Sequence, residues 1–350
     1  MQNTPGSFTR NEIYGQPETF AAINASLPEF YQTIDRVFSQ SYDELIFTGC
    51  GTSLYAAQTA AQVWCVYNDI PAHAVCCSEL YLFSQTYLKG KRVLVLPITR
   101  KSCTTEVVRA IKKARSFPSV KSLAITCDPD SAKYNDSILL APNTSEKSVV
   151  MTRSFTGMLY IATIMSMYVG GKHNEIHAME AYPAKARELL TRMDVYAQNI
   201  VDQHPALNLF VTLGHGVYYG VANECTNKIK EMSLSHSEAF YTMEYRHGPM
   251  SLADEHTLVL LLAHPQTQAE DTALLEELKS YGSIIAVVGD KLPDLPCADH
   301  VLDLGLGYNA QQSAPLIGLV GQFLGYHLAR KKGLNADVPR HLSLAIVLNE

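Results

Sequence analysis

The sequence has 350 residues, a net charge of −6 and 47% hydrophobic residues. This length fits two domains or one large domain. The acidic balance and the lack of a long basic run argue against nucleic acid or a membrane surface as a partner. The N-terminus has no signal-peptide pattern and the apolar runs are too short for a membrane span, so we expect a cytoplasmic protein.

Eight cysteines are scattered through the chain without a CxxC pair or a Cys/His spacing that indicates zinc. In a protein without a signal sequence, most of these thiols are expected to be reduced. We therefore expect neither a metal nor another cofactor.

The first half of the chain alternates short apolar runs with longer helical patterns. DELIFTGCGTS predicts a strand and a glycine turn that lead into the helix LYAAQTAAQVWCVYN. Further strands and helices follow in chain order: KRVLVLPIT, TTEVVRAIKKARSF, VKSLAITCD, SILLAPN and SFTGMLYIATIMSMYVGG. Because apolar strands alternate with helices, the pattern predicts an α/β fold with a parallel sheet covered on both faces.

The second half repeats this pattern. LNLFVTLGHGVYYG predicts a strand and a second glycine turn, followed by the helix VANECTNKIKEMSLSHSEAF. The remaining elements are HTLVLLLAHP, AEDTALLEELKSYG, SIIAVVGD, HVLDLG and the long helix SAPLIGLVGQFLGYHLARKKG. We therefore predict two α/β lobes of similar layout, joined near residues 171–200, with ligands at the carboxyl ends of the strands.

Two turns at strand ends carry hydroxyl groups. Thr52 and Ser53 lie between a Gly-Cys-Gly turn and a helix start, where backbone amides favour an anion. The turn after KRVLVLPIT adds hydroxyls and positive charge, which together indicate a phosphate site. Its polar residues are Thr99, Arg100, Lys101, Ser102, Thr104 and Thr105. For the first turn, a tight turn with an ordinary helix cap is the alternative.

The stretch KEMSLSHSEAFYTMEYRHGP crowds titratable groups into a short run. Glu231 lies near the end of a helix that begins at about Val217, and Lys228 shares its face three positions earlier. His247 lies in a Gly-Pro loop and can exchange a proton near neutral pH. These residues predict an acid–base site that removes a proton next to a carbonyl. A solvated helix face with an ordinary loop histidine stays open as the alternative.

Six motifs occur along the chain in an order found in one known family. They are NEIYGQP, GCGTS, TRKSCTTE, TRSFT, the run from LGHG to RHGP, and DVPRHLSLAIVLNE. Through these motifs the chain resembles the isomerase half of glucosamine-6-phosphate synthase, and more widely the SIS (sugar isomerase) domain proteins. The resemblance implies two tandem flavodoxin-like SIS lobes, each a three-layer arrangement with helices on both faces of a parallel sheet.

The resemblance also implies a domain organisation. A helical segment is expected at residues 1–30, the first SIS domain at 31–175 and the second at 195–333. A C-terminal tail at 334–350 is expected near the active site. Members of the family are usually dimers, so a homodimer is expected here.

The same resemblance implies a role for each candidate residue. Glu231 would move a proton between sugar carbons 1 and 2, Lys228 would steady it, and His247 would open the sugar ring from the partner subunit. The phosphate of a sugar or amino-sugar substrate would be surrounded by Ser53, Thr99, Lys101 and Thr104, with Thr52 and Arg100 nearby.

The chain departs from the family pattern at three places. Ser102 and Cys103 replace a glycine and a glutamate of the phosphate loop, and a side chain at the glycine position is expected to fit less easily. Leu344 replaces the lysine that engages the open-chain sugar. The chain starts without a cysteine nucleophile, so glutamine-dependent synthesis is not expected.

These departures imply a fructosamine-6-phosphate deglycase or a glucosamine-6-phosphate deaminase, with the deglycase favoured by the missing lysine. A simple aldose–ketose isomerase uses the same residues and stays open. A phosphosugar sensor without catalytic activity is the alternative from another functional class.

Overall fold

The computed structural model describes residues 4–348, which divide into two compact units. The first lobe comprises Gly15–Glu146, Met151–Pro183 and the described residues of Ser343–Glu350. The second lobe comprises the described residues of Met1–Tyr14, with Lys147–Val150 and Ala184–Leu342. Within the described part of the chain, no helix is both long and apolar enough to cross a membrane.

The strands and helices are numbered in chain order. The strands are β1 (Glu44–Gly49), β2 (Ala72–Cys76), β3 (Val93–Thr99), β4 (Val120–Thr126), β5 (Ser137–Leu140), β6 (Leu209–Gly214), β7 (His236–Phe240), β8 (Thr257–Leu262), β9 (Ile284–Gly289) and β10 (His300–Asp303). The α-helices are α1 (Ser7–Tyr14), α2 (Gln16–Phe38), α3 (Thr52–Tyr67), α4 (Cys77–Leu82), α5 (Ser84–Leu88), α6 (Thr105–Ala114), α7 (Arg153–Val169), α8 (His173–Ala178), α9 (Tyr182–Gln203), α10 (Val217–Ser233), α11 (Gln268–Ser280), α12 (Ala310–Ile317) and α13 (Leu319–Lys331).

Each lobe contains a five-stranded parallel sheet, and the two sheets have the same topology. The order is β2-β1-β3-β4-β5 in the first lobe and β10-β9-β8-β6-β7 in the second. Numbered within its own lobe, each sheet has the flavodoxin-like order 2-1-3-4-5. The predicted fold of two flavodoxin-like α/β lobes is therefore confirmed. In this topology the order in which strands are added changes direction between β1 and β3, and again between β6 and β8. This leaves a crevice at the carboxyl ends of those strands.

The central strands are apolar throughout because helices cover both faces of each sheet. All residues of β3 and of β8 are buried. Val93 and Val95 pack in one core with Leu80 of α4 and Ile111 of α6. The residues between them point to the opposite face of the sheet, since side chains alternate along a strand. This two-sided burial explains why the strand signal in the sequence is a continuous apolar run.

The edge strand of each lobe beside β1 or β6 differs from the sequence prediction. No strand was predicted at β2, and β7 was assigned to the helix VANECTNKIKEMSLSHSEAF. The structure ends that helix at Ser233, where Leu234 adopts a left-handed conformation with φ of +53°. The long helix predicted after β10 is also wrong in one respect, because it breaks at Gly318 into α12 and α13.

The N-terminal helix α1 belongs to the second lobe through contacts with residues far along the chain. The backbone amide and the hydroxyl of Thr9 both donate to Asp337, at 2.7 and 2.8 Å. The buried carboxylate of Glu12 accepts from the amide of Lys147 at 2.5 Å and from Ser148. These bonds hold three distant segments of the sequence in one compact unit.

Candidate active site

The first lobe presents a hydroxyl-bearing turn between β1 and α3. Gly51 has φ of +55°, which a residue with a side chain rarely adopts. A Cβ on Gly49 would lie 2.6 Å from the backbone carbon of Ser53, so the strand and the helix approach closely there. Thr52 and Ser53 begin α3 and are each 5% exposed. The turn therefore combines a helix N-terminus with two hydroxyls, which is the arrangement that anions favour.

The loop between β3 and α6 is shaped by its own hydroxyl groups. The carbonyl oxygen of Lys101 accepts from the hydroxyls of Thr99 at 2.8 Å and of Thr104 at 3.3 Å. Lys101 itself is exposed, so its ammonium group is accessible to a ligand. The loop thus keeps a compact form that leaves one cation at its surface.

Ser102 is accommodated in this loop without strain. The described non-glycine residues with positive φ are Asn143, Leu234, Lys291 and His341, so the expected difficulty at Ser102 is wrong. Its backbone amide and its hydroxyl both donate to Asp128, at 2.9 and 2.8 Å. Burial opposes ionisation of Asp128, but these hydrogen bonds outweigh it and hold the pKa of Asp128 below its usual range.

Arg100 is engaged within the first lobe. Its guanidinium lies 3.1 Å from the carboxylate of Glu146 and donates to the carbonyl oxygen of Leu344 at 3.0 Å. Arg100 and Glu146 are both almost fully buried. They line a cavity of about 250 Å³ together with Lys101, Cys127, Asn143, Thr144 and Leu344. Arg100 therefore fixes the C-terminal tail to the loop between β3 and α6, which puts Leu344 at the edge of this cavity.

The second lobe carries a polar stripe on α10. Its members are Glu224, Asn227, Lys228 and Glu231, which recur at the spacing that puts residues on one helix face. Lys228 is fully buried, and its ammonium lies 2.5 Å from Glu231 and 3.4 Å from Glu224. The amide of Asn227 donates to the other oxygen of Glu231 at 3.0 Å. Both oxygens of the Glu231 carboxylate are thus held by named donors.

A buried cation of this kind is costly unless its charge is compensated. Removing a charged group from water costs several kcal/mol, which is offset only by good ion pairs and hydrogen bonds. Glu224 is fully buried, whereas the side chain of Glu231 is 23% exposed. Glu231 is therefore the member of the stripe that can reach a substrate, and Lys228 and Asn227 orient it. A carboxylate fixed in this way can accept and return a proton.

The packing of α13 brings this stripe into place. A Cβ on Gly321 would lie 2.4 Å from the Cα of Cys225, and one on Gly325 would lie 2.6 Å from the carbonyl oxygen of Lys228. Only glycine allows the two helices to approach so closely. The GQFLG run of α13 therefore covers the backbone of α10 at the level of Lys228.

His247 lies apart from this stripe within the second lobe. Its backbone amide donates to the carbonyl oxygen of Glu244 at 3.0 Å, and Gly248 follows with φ of +121°. The residue is exposed. Within the described chain, no hydrogen bond or ion pair links His247 to Glu231. The prediction that His247 acts from a partner subunit stays a prediction.

The structure adds Glu224 and Asn227 to the residues that the sequence indicated. Their signal was present, because four polar residues occupy the i, i+3, i+4 and i+7 positions that an ordinary helix fills with apolar side chains. Among residues 4–348, no group of three or more His, Cys, Asp or Glu is arranged to hold a metal ion.

Comparison with known proteins confirms the predicted resemblance. The model of the SIS domain family matches residues 208–336, which contain β6, α10 and α13. Glutamine–fructose-6-phosphate aminotransferase (isomerizing) from Escherichia coli strain K12 is 24% identical over 367 residues, covering 97% of this chain. The enzyme of the same name from Francisella tularensis is 26% identical and covers 96% of this chain. The chain spans only 59% and 58% of the length of these two relatives.

Solved structures show the same architecture. Glucosamine-6-phosphate deaminase from Thermotoga maritima is 27% identical with a TM-score of 0.79, covering 98% of this chain and 100% of that one. Tagatose-6-phosphate ketose/aldose isomerase from Escherichia coli is 21% identical with a TM-score of 0.85, covering 99% of both chains. The second likeness concerns the fold alone.

Proposed function

Because residues 208–336 match the SIS domain family, we propose that this protein is a phosphosugar enzyme. It removes an amine from a hexosamine or fructosamine 6-phosphate by proton transfer between carbons 1 and 2. The observation that carries this proposal is the carboxylate of Glu231, held by Lys228 and Asn227 at one end of a buried polar stripe. The similarity to a protein named glucosamine-6-phosphate deaminase supports the choice of substrate class.

Glu231 is the proposed base. For a fructosamine 6-phosphate, it takes a proton from carbon 1 beside the ketone, giving an enaminol. It returns the proton to carbon 2, which leaves an imine at carbon 1. Water then hydrolyses the imine, releasing the amine and an aldose 6-phosphate. The ketone of the substrate accepts electrons in the first step and the substrate's own nitrogen donates its lone pair in the second, so the reaction needs no lysine at position 344, where this chain has Leu344.

The remaining roles are assigned by the resemblance. Ser53, Thr99, Lys101 and Thr104 bind the sugar phosphate. Thr52 supports them, and the exposed ammonium of Lys101 supplies the counter-charge. Arg100 lies near the phosphate in this assignment, and its guanidinium also donates to Glu146 and to the carbonyl oxygen of Leu344 in the tail.

His247 is proposed to act in a homodimer, across the subunit interface. Mixing the inactive variants Glu231→Gln and His247→Gln tests this directly. If His247 acts from the partner, mixed dimers regain activity, because one of their two sites combines an intact Glu231 with an intact His247. If it acts within its own chain, every subunit of a mixture remains defective and no activity returns.

The proposed reaction is tested with a panel of glucosamine 6-phosphate, fructose 6-phosphate and 6-phosphorylated fructose–amino-acid adducts. Thermal stabilisation measures binding, and detection of ammonia or free amine measures turnover. We expect amine release from at least one amino derivative. This release is lost in Glu231→Gln and kept in the matched control Glu238→Gln, a substitution at an exposed residue of β7. Unchanged turnover in Glu231→Gln would sink the proposal.

Two alternatives give different results in the same panel. An aldose–ketose isomerase interconverts hexose 6-phosphates without releasing an amine. A sensor binds a phosphosugar and converts none of them. The stripe on α10 disfavours the sensor, because a module that only binds has no need for a costly buried cation that orients a carboxylate.

A further inference from the structure

Two cysteines stand side by side at the ends of neighbouring parallel strands. Gly49 of β1 pairs with Cys76 of β2 as the last residues in register. The next residue on each segment is a cysteine, Cys50 and Cys77. Paired strand ends lie about 5 Å apart, which is within the range of Cα separations that disulfides span, and the two cysteines are the next residues along.

Both side chains face the same core. Cys77 is fully buried among residues that include Leu80 and Val95, and Cys50 packs against this cluster. The sulfur of Cys77 lies 3.3 Å from the hydroxyl of Thr48. Interaction with the Cys77 thiol, followed by burial, raises the pKa of the Cys50 thiol. The two thiols are therefore close neighbours.

Cys76, one residue away, is engaged differently. Its sulfur lies 3.3 Å from the hydroxyl of Ser78. Cys76 ends β2 whereas Cys77 begins α4, and Cys76 is not among the residues of the core cluster that contains Cys77 and Cys50. Cys76 thus offers a control thiol at nearly the same place in the chain.

Cys50 is the middle residue of the turn that begins the candidate phosphate site. The amide of Ser53 donates to the carbonyl oxygen of Cys50 at 3.1 Å. The close approach at Gly49 leaves the turn little room to shift without moving the start of α3. A displacement of Cys50 caused by a covalent bond would therefore also move the hydroxyls of Thr52 and Ser53.

We propose that Cys50 and Cys77 form a reversible disulfide that switches off phosphosugar binding at the first turn. The oxidant is a low-molecular-weight disulfide. Cys50, the less buried of the two, reacts through the small thiolate fraction that its raised pKa leaves, attacking one sulfur of the oxidant and releasing one small thiol. The thiolate of Cys77 then displaces the second small thiol and forms the internal bond. The protein loses two electrons and two protons, which leave in the two released thiols.

The bond itself is inferred from the strand register, whereas its effect on binding rests on the proposed function. The full-length protein is incubated with oxidised glutathione and mapped by mass spectrometry without reduction. Fructose 6-phosphate is the binding probe, read as a shift in melting temperature before oxidation, after oxidation and after reduction with dithiothreitol. The variants Cys77→Ala and Cys76→Ala are carried through the same steps.

We expect a Cys50–Cys77 linkage in wild type and in Cys76→Ala, with at least about a tenfold loss of affinity that dithiothreitol reverses. Cys77→Ala keeps its binding under oxidation. A mass-spectrometric map in which Cys50 is linked to Cys76, or only to glutathione, would rule out the Cys50–Cys77 disulfide. An unchanged shift in the linked protein overturns the switch. If reduced wild type binds no phosphosugar of the panel, the proposed function fails, and with it the switch, while the map still decides the bond.

Discussion

The two lobes begin from the same turn and then differ along the helix that follows it. Gly51 and Gly216 have φ of +55° and +53° and each precedes a helix of similar length. Counted from these glycines, Thr52 and Ser53 of the first lobe correspond to Val217 and Tyr218 of the second. The first lobe thus has small hydroxyl side chains at the helix start, and the second lobe does not.

Further along the two helices, it is the second lobe that carries the polar side chains. The positions of Glu224, Lys228 and Glu231 on α10 are filled on α3 by Thr59, Val63 and Val66. Val63 is fully buried and Val66 is 55% exposed. One fold has therefore been used twice, with the proposed anion-binding groups at the helix start in one lobe and the proposed proton-transfer groups at the helix end in the other. The same fold accommodates either set of side chains, so the fold alone does not determine the chemistry.

The largest effect expected from this difference is on turnover. Glu231→Gln removes the only member of the α10 stripe that reaches solvent as a carboxylate, and we expect a rate loss of about 100- to 10,000-fold. Binding of the phosphosugar, measured by thermal shift, is expected to persist, because binding is assigned to the first lobe. Equal loss of binding and turnover would show that the two functions are not divided between the lobes.

The next effect is on stability. Lys228→Met leaves the buried carboxylate of Glu224 without its cation, and we expect a loss of about 3–5 kcal/mol in the free energy of unfolding. The double variant Glu224→Leu/Lys228→Met replaces both charges by apolar groups and is expected to recover most of this loss. Urea denaturation measures both. A double variant less stable than Lys228→Met alone would refute the coupling.

A smaller effect is expected on affinity. Ser53→Ala removes one donor to the phosphate, and a hydrogen bond to a charged group contributes about 1.5–3 kcal/mol, so binding weakens by about 10-fold or more. The corresponding variant in the second lobe, Tyr218→Phe, is expected to leave affinity unchanged. Isothermal titration with fructose 6-phosphate compares them. If Tyr218→Phe weakens binding as much as Ser53→Ala, the assignment of the phosphate to the first lobe is wrong.

The smallest expected effects are on the pH dependence of stability, and they have opposite signs in the two lobes. Burial raises the pKa of Asp271 in the second lobe to about 6, above its unfolded value of about 4. This carboxyl therefore costs stability progressively as the pH rises from about 4 to about 6, and Asp271→Asn is expected to exceed wild type at pH 7 by roughly 2 kcal/mol.

In the first lobe, the lowered pKa of Asp128 has the reverse consequence. Its hydrogen bonds with Ser102 stabilise the fold above the usual carboxyl pKa, and this stability is lost as the pH falls through the lowered value. Asp128→Asn is expected to be less stable than wild type at pH 7, with the difference shrinking in acid. Denaturation curves from pH 7 to 3 that give both variants the same sign would contradict this contrast.

The sequence predicted the central strands of both lobes but not the edge strands β2 and β7. The central strands β3 and β8 are buried at every position and almost wholly apolar because both faces are covered, which gives a strong signal. β2 has a single fully buried residue, Val75, and β7 a single one, Ser237. Such short, mostly unburied segments are strands because a neighbouring strand pairs with them, which composition does not reveal. Leu234 ends α10 without the glycine that normally marks a helix end.

The candidate site was predictable in part. Lys228 and Glu231 were recognised as neighbours from their spacing, whereas the burial of Lys228 depends on Gly321 and Gly325, about a hundred residues later. The engagement of Arg100 by Glu146 and Leu344 likewise depends on distant segments of the chain. Spacing along one helix can be read from sequence, while contacts between remote segments depend on the whole fold.

The placement of α1 has a consequence for synthesis on the ribosome. This helix is made before its carboxylate partners Asp194 and Asp337, which lie 184 and 328 residues further along the chain. It therefore lacks these packing partners until the residues between them have been synthesised. Long-range contacts of this kind slow folding, and the second lobe can close only after Asp337 has left the exit tunnel. A chaperone that binds short amphipathic segments would meet α1 for the whole of that interval.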